Sequence, residues 1–302
     1  MSGSGRPASG VGAVVVNYNT GTALTGCVAS LRSSGVREIV VVDNGSSDGS
    51  LAALGAADGT ARIVRAGKNL GYGTAVNRGA ALLTAPFVLV VNPDIVLDSD
   101  AVDVLATRLE AESDVAVVGP SIRDLRGAAY PSARTFPSFS VGAGHAFVGL
   151  FWPENRWTKR YRDGVARDAP ADRSAREVDW VSGACALVRR EAFEAVGGFD
   201  EGYFMYVEDL DLCWRLRRAG WRVLFEPAAN VVHHQGLSTA AHPYRMLVAH
   251  HRSTFRFARK CFVGVRSAFL VPVAAGLVVR LGLASARQLL AGTRGRRAAG
   301  LG

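Results

Sequence analysis

Apolar runs and helix-spaced segments alternate along the first half of the chain. Val11 to Asn17 is a β-branched run bounded by Gly10 and Asn19, and Leu24 to Ser33 places Leu24, Cys27, Val28 and Leu31 on one helical face. Glu38 to Val42 is a second run that stops at Asp43. Ile63 to Arg65 is a short third, and Phe87 to Val91 a fourth that stops at Asn92-Pro93-Asp94. Gly73 to Leu83 and Val102 to Ala111 read as helices, and Val115 to Val118 as another strand. A strand apolar at every position is buried on both faces. Strands alternating with helices therefore predict an α/β fold, a mostly parallel central sheet flanked by helices. Polar residues gather where the strands stop, the edge at which open α/β sheets bind ligands.

The second half is less regular. From Ser121 to about Arg176 the periodicity is lost to Pro131, Pro137, Pro153 and Pro170, and charge is dense from Arg156 onward; residues 121–176 are expected to form a long mobile insertion. Order returns at Val178 to Val188. A helix follows from Arg190 to Val196, then a Gly197-Gly198 break, then a helix from about Val207 to Ala219 closed by Gly220. Trp221 to Phe225 and Asn230 to His233 read as two short strands.

Beyond Pro243 the chain is basic and aromatic to Phe262, then apolar to Leu290 but broken by Arg266, Pro272, Arg280 and Arg287. The uninterrupted stretch from Ser267 to Val279 is shorter than the ~20 residues of a spanning helix. Residues 241–302 are therefore expected to be a basic, amphipathic helical extension lying in the plane of a membrane, or else helices packed on the domain. Residues 1–10 are small and polar, without the apolar core of a secretory signal, and are expected to be a disordered tail outside a domain of residues 11–240.

With 302 residues, 49% of them hydrophobic and 20% charged, the composition is that of a globular protein with a sizeable core. Cys27, Cys185, Cys213 and Cys261 stand far apart in apolar settings, which suits buried thiols rather than a disulfide or zinc site. The net charge of +9 raises the possibility of a nucleic-acid partner, but the basic residues cluster from Arg245 to Arg297 and decorate no nucleic-acid motif. No nucleic acid is expected; anionic lipid fits that cluster better.

The candidate chemistry is a set of acidic residues at separate strand ends: Asp43, Asp94, and the group Glu208, Asp209 and Asp211. Each alone is ordinary turn, cap or helix-start chemistry. Asn92-Pro93-Asp94 is equally good as a turn, and Asp211 four residues before Arg215 is most simply a surface pair. His233 and His234, adjacent on a strand, face opposite ways, so at most one reaches any site.

Taken in order, Val-Val-Asn-Tyr-Asn, Val-Asp-Asn-Gly-Ser-Ser-Asp-Gly, Asn-Leu-Gly-Tyr-Gly, Asn-Pro-Asp, Gly-Gly-Phe-Asp-Glu, Glu-Asp-Leu-Asp-Leu and His-His resemble glycosyltransferase family 2, the inverting transferases of GT-A (Rossmann-like) fold. The match runs from about Val14 to Thr239. Within it, Arg134-Thr135-Phe136-Pro137-Ser138, Gly183-Ala184-Cys185 and Phe204 to Asp209 resemble the bacterial rhamnosyltransferases that extend polyprenyl-diphosphate-linked N-acetylglucosamine.

The resemblance implies that Asp43 meets the pyrimidine of a nucleotide-sugar, with Asn17, Asn19, Asn69, Gly71 and Asn92 on the donor side. It makes Asp94, in a metal motif whose first residue is here asparagine, a ligand for Mg2+ or Mn2+ together with His233. Asp209 becomes the general base, Glu208 orients the acceptor or supports the loop, and Arg134, Trp180, Gly183, Ala184 and Tyr206 form the acceptor site. It further implies a dTDP-rhamnose donor, a lipid-linked acceptor and work at the cytoplasmic face of the plasma membrane, peripherally attached. The alternatives are another transferase of the family (galactofuranosyl, mannosyl or glucosyl) or a non-catalytic binder on the same scaffold.

Overall fold

A computed structural model describes residues 10–136, 174–234 and 243–298. The chain divides into two compact units, Met1–Phe136 with Gly164–Ala240, and Pro137–Asp163 with Ala241–Gly302.

The first unit runs β1 (Val11–Asn17), α1 (Ala23–Ser33), β2 (Glu38–Asp43), α2 (Ser50–Ala57), β3 (Arg62–Arg65), α3 (Tyr72–Ala80), β4 (Phe87–Val91), β5 (Ile95–Leu97), α4 (Ala101–Ala111) and β6 (Val115–Arg123). It continues through β7 (Ala129–Tyr130), β8 (Ala133–Arg134), β9 (Arg176–Glu177), β10 (Trp180–Val181), β11 (Cys185–Arg189), α5 (Arg190–Ala195), α6 (Glu208–Arg218) and β12 (Arg222–His233). The main sheet has the order β3-β2-β1-β4-β11-β6-β12-β5. From β3 to β4 all pairings are parallel. β11 is antiparallel to both neighbours, β12 is parallel to β6, and β5 closes the edge antiparallel to β12.

β1 and β4 are buried at every position because both faces of the sheet are covered. On one face pack Leu24, Val28 and Leu31 of α1, Leu54 of α2 and Val102, Leu105 and Leu109 of α4. On the other pack Ala75 and Val76 of α3, Phe193 of α5 and Leu212 and Leu216 of α6. Each such large side chain stabilises the fold by about 1.5–3 kcal/mol on burial.

Four elements differ from the sequence reading. α2 is a helix that Ser50 to Ala57, rich in Ala and Gly, does not announce by any apolar stripe. β5 is only three residues long. β12 is one strand where two were expected; its register shifts between Glu226 and Asn230, which absorbs the Pro227 break. Part of the expected 121–176 insertion is ordered: β6 runs on to Arg123, β7 pairs back on it, and β8 pairs with β10. The rest of that insertion and the 1–9 part of the tail lie outside the described residues.

The second unit contributes α7 (Pro243–Cys261), a 3-10 turn (Gly264–Phe269) and α8 (Leu270–Ala298). Gly264–Ala286, 23 residues of mean hydropathy 1.9 and none of it buried, is by length and composition long and apolar enough to cross a membrane. The stretch counted from the sequence, Ser267 to Val279, is bounded by Arg266 and Arg280. The helix instead runs through Arg280, and Pro272 falls in its first turn, where a missing N–H costs nothing.

Candidate active site

Three parallel strands end side by side, and the register of the sheet brings the remaining polar segments to the same edge. β1 and β2 stop together, Asn17 opposite Asp43. β4 stops next to them at Val91, and β11, being antiparallel, begins there, Cys185 opposite Val91. Gly183 and Ala184 therefore sit beside Asn92, whose N–H donates to the Ala184 carbonyl at 2.8 Å. β12 delivers His233 opposite Ile95, just past Asp94.

At the β1–β2 end, Asn17 is fully buried. Its amide donates to Asp43 Oδ1 at 3.0 Å, Ser46 Oγ at 3.0 Å and Ser50 Oγ at 2.8 Å. It brackets Asp43, its register partner on the neighbouring parallel strand. Asp43 Oδ2 also accepts from Ser46 N. Asn19 is held at φ 52, a value asparagine tolerates, and its Oδ1 accepts from Ser47 N.

The loop before α3 lies against this end. Asn44 Nδ2 donates to the Gly71 carbonyl at 3.1 Å, and Asn69 Oδ1 accepts from Gly71 N at 3.0 Å. Gly71 has φ 90, and a Cβ there would meet the Phe204 carbonyl oxygen at 2.5 Å, so only glycine fits. Tyr72 N donates to that same carbonyl.

Asp94 and His233 are both buried and face each other, Asp94 Oδ1 to His233 Nε2 3.1 Å, while Nδ1 of the ring is buried with no partner among the described residues. The Tyr130 ring stands edge-on to the imidazole at 5.8 Å. His234 is exposed. Among the described residues no group of three or more His, Cys, Asp or Glu gathers as a metal site. A carboxylate oxygen and an imidazole nitrogen are both donors that Mg2+ or Mn2+ accepts, so the residues present fit such a cation.

At the start of α6, Gly183 N donates to Asp209 Oδ2 at 3.0 Å and Leu210 N to Asp209 Oδ1 at 2.8 Å. Burial raises the Asp209 carboxyl, against the pull of these two N–H groups and of Arg134. Burial, and then the Asp209 charge, pushes Glu208 up to about 8. Glu208 Oε2 is buried with no hydrogen-bond partner among the described residues. The chain enters this helix through Tyr206 and Val207 at φ 69 and 71, left-handed values uncommon for tyrosine and strained for a β-branched valine.

Around the carboxyl pair, Arg134 lies 4.9 Å from the Trp180 ring centre and 5.9 Å from that of Tyr130, and its Nε donates to the Pro131 carbonyl. Tyr206 is half-buried near Glu208 and Tyr130. The Ala184 methyl, just before β11, is buried among the core side chains. Asp211 is no surface residue either. It is fully buried and takes Arg215 Nε at 2.8 Å and the Tyr203 hydroxyl at 3.2 Å, so it anchors α6.

The residues missed by sequence reasoning are Asn44, Ser46, Ser50, Tyr72 and Tyr130. Only the polarity of Asn44-Gly45-Ser46-Ser47 and the Gly-Tyr-Gly turn signalled them.

A half-parallel sheet with helices on both faces and acidic residues strung along its carboxyl edge is the frame of a GT-A glycosyltransferase. The chain belongs to glycosyl transferase family 2, whose model matches residues 13–197, with a glycosyl transferase family group 2 model matching residues 131–287. It is 43% identical over 257 residues to the N-acetylglucosaminyl-diphospho-decaprenol L-rhamnosyltransferase of Mycobacterium tuberculosis (strain H37Rv), covering 81% of this chain and 82% of that one. Rhamnosyltransferase WbbL of Escherichia coli (strain K12) is 33% identical over 186 residues, 60% of this chain and 65% of that one. Among solved structures, the mannosyltransferase PcManGT from Pyrobaculum calidifontis, in complex with GDP-Man and Mn2+, shares the fold with a TM-score of 0.59 at 18% identity, over 95% of this chain and 79% of that one.

Proposed function

We propose that this glycosyltransferase moves L-rhamnose from dTDP-rhamnose onto a polyprenyl-diphosphate-linked N-acetylglucosamine, with inversion at the anomeric carbon, in cell-envelope polysaccharide assembly. The reaction class rests on the convergence of Asp43, Asp94 and Asp209 along one sheet edge. The choice of sugar and acceptor rests on the printed activity of the 43% identical relative.

Asp43, held by Asn17 and Ser46, accepts the imide N–H of the donor pyrimidine, and the backbone at Asn69 to Gly71 passes close to the nucleotide, with Asn19 and Asn92 at the rim. Asp94 and His233 would hold the divalent cation, which when bound neutralises charge on the departing diphosphate. Asp209 takes the proton of the acceptor hydroxyl as that oxygen bonds to the anomeric carbon and the carbon–oxygen bond to the nucleoside diphosphate breaks. Burial raises its basicity for this task, and the two backbone N–H groups aim it. Glu208 and Tyr206 orient the acceptor over the Gly183 backbone. Arg134, flattened between Trp180 and Tyr130, pairs with acceptor phosphate while keeping Asp209 ionisable.

The acceptor's lipid fixes it in a bilayer, and the second unit suits that location. Glu226 is the last acidic residue of the chain, and eleven basic residues follow it, from Arg245 to Arg297, interleaved with the exposed apolar side chains Val265, Phe269, Val271, Val278 and Val279. This unit holds the enzyme on the anionic cytoplasmic face of the plasma membrane. Sedimentation with phosphatidylglycerol vesicles should capture the full chain, and less of it in high salt; absence from both anionic and neutral vesicles overturns this part. For the reaction, dTDP-rhamnose, UDP-galactofuranose, GDP-mannose and UDP-glucose are offered with a short polyprenyl-diphosphate-linked N-acetylglucosamine. Rhamnosyl product is expected; preferential turnover of another donor overturns the sugar assignment.

A further inference from the structure

The tyrosine of the Asn-Leu-Gly-Tyr-Gly segment has no part in the scheme above, yet it touches both halves of the proposed site. Tyr72 opens α3 directly after the loop that lies on the donor end. Its hydroxyl donates to the Gly183 carbonyl at 2.6 Å, across 111 residues of chain. The N–H of that same Gly183 donates to Asp209 Oδ2 at 3.0 Å. A Cβ on Gly183 would come within 3.2 Å of the Asp209 Cβ and 3.6 Å of Tyr72 Cε1, so the three residues are in close packing.

The backbone repeats the link. Tyr72 N donates to the Phe204 carbonyl, in the loop that enters α6 through the strained Tyr206 and Val207. The ring stands edge-on to Phe199 at 6.2 Å, and Asn77, one turn further along α3, clamps Phe199 N and the Phe199 carbonyl through its amide. On its other side, the Gly71 carbonyl accepts from Asn44, the residue after Asp43. A continuous run of hydrogen bonds therefore leads from the nucleotide end through Tyr72 and Gly183 to the carboxylate at α6.

The geometry points to Tyr72 as a positioning residue that ties the donor loop at residues 69–71 to Asp209, so that the base is held in line for attack only while that loop is seated. The inference rests on the assignment of Asp209 as base. Tyr72 is not itself a proton acceptor: burial, then the charges of Glu208 and Asp209, then Cys185 and Asp94, push its hydroxyl well above the ordinary tyrosine range, so it stays a donor. Its phenol holds the Gly183–Ala184 peptide by the carbonyl, and the Gly183 Cα joins that plane to the Ser182–Gly183 peptide, whose N–H holds the carboxylate. Without the hydroxyl the backbone torsions at Gly183 are less restrained, and the N–H contact with Asp209 loosens. The groups facing Asp209 are then Glu208 beside it, Arg134 from β8, Cys213 one turn on, and a less well aimed Gly183. A weaker N–H to the carboxylate raises its pKa, so the acid limb of the rate profile moves to higher pH.

The test uses the full chain with Tyr72→Phe, which keeps the ring and its packing on Phe199, alongside Asp209→Asn. Tyr72→Phe is expected to lower kcat about tenfold and shift the acid limb of kcat upward, with dTDP affinity by calorimetry within about twofold of the parent. Gly183→Ala, which presses on Asp209 from the same side, should lower kcat in the same sense. If Asp209→Asn abolishes transfer while Tyr72→Phe keeps the parental kcat and pH profile, the link is wrong and the base assignment stands. A Tyr72→Phe variant that loses dTDP affinity in step with kcat also overturns it, since a donor contact or a general loss of order then explains the residue. If Asp209→Asn transfers normally, the base assignment itself has failed.

Discussion

The β1–β2 end of the sheet edge, proposed as the donor end, and the start of α6, proposed as the acceptor end, are built in opposite ways. At the donor end polar groups are matched before any ligand arrives: the Asn17 amide holds three acceptors, its oxygen takes the Thr20 hydroxyl at 2.6 Å, and Asp43 is bracketed from two sides. At the acceptor end two carboxyl groups share one buried helix start, one carboxyl oxygen has no partner among the described residues, and the two residues leading in are held in left-handed backbone. Such conformations cost of order 1–3 kcal/mol each, and persist only where surrounding structure imposes them. The difference fits the two tasks proposed for them. Recognising a nucleotide needs a rigid, presatisfied socket, whereas accepting a proton needs a carboxylate poorly solvated enough to want one.

The largest effect should come from the cation that Asp94 and His233 would hold. Removing divalent ions with a chelator, or replacing Asp94 by alanine, is expected to lower kcat/KM by about 10³, the several kcal/mol that a metal contributes at a developing charge. Full turnover in chelator would break the account of Asp94 and His233. Next, Asp43→Ala should weaken dTDP binding by roughly 10- to 100-fold in calorimetry, the worth of one charge-assisted hydrogen bond, and leave kcat at saturating donor nearly unchanged. A fall in kcat with unchanged affinity would place Asp43 on the wrong end.

Glu208 sharpens the comparison through pH. Its folded-state value of about 8 lies above the ordinary glutamate value of 4.5. The native state therefore holds a proton that the unfolded state has released between those values. That contribution to stability is complete below about pH 4.5 and is lost as pH rises to 8. Glu208→Gln, which cannot ionise, should melt above the parent by on the order of 5 °C at pH 8.5 and near it at pH 5. Equal melting points at both values would mean that the carboxyl is solvated. The smallest effect is expected from Arg134→Gln, which removes a positive charge that pulls Asp209 down. The acid limb of kcat should move upward by a fraction of a pH unit, with a higher KM for the lipid acceptor and no change for the donor.

Much of this was legible in the chain. The continuously apolar runs ending in Asn17, Asp43 and Asn92 gave strands, order and the ligand-binding edge, because burial on both faces leaves a pattern that local sequence carries. That Asp94 and His233 meet was expected only from resemblance. The structure adds a 3.1 Å approach that neither Asn-Pro-Asp nor His-His encodes. Asp211 was misread because an i, i+4 pair with Arg215 has the same spacing whether it lies in solvent or, as here, in the core. Tyr72, Ser50 and Tyr130 were invisible for a related reason: their partners are distant in sequence, and periodicity reports the face of an element, not what that face meets. α2 lacked an apolar stripe, and three-residue β5 had too few positions to show a period.

The central claim is that Asp209 takes the acceptor proton in a crevice whose donor end works without it. Rhamnosyl transfer and dTDP-rhamnose binding, measured on the same preparations of the parent and of Asp209→Asn, test it most directly. The account predicts that kcat falls by about 10²–10⁴ while donor affinity stays within about twofold. Turnover within a few-fold of the parent in the Asn variant, or a donor affinity that collapses together with it, would contradict it.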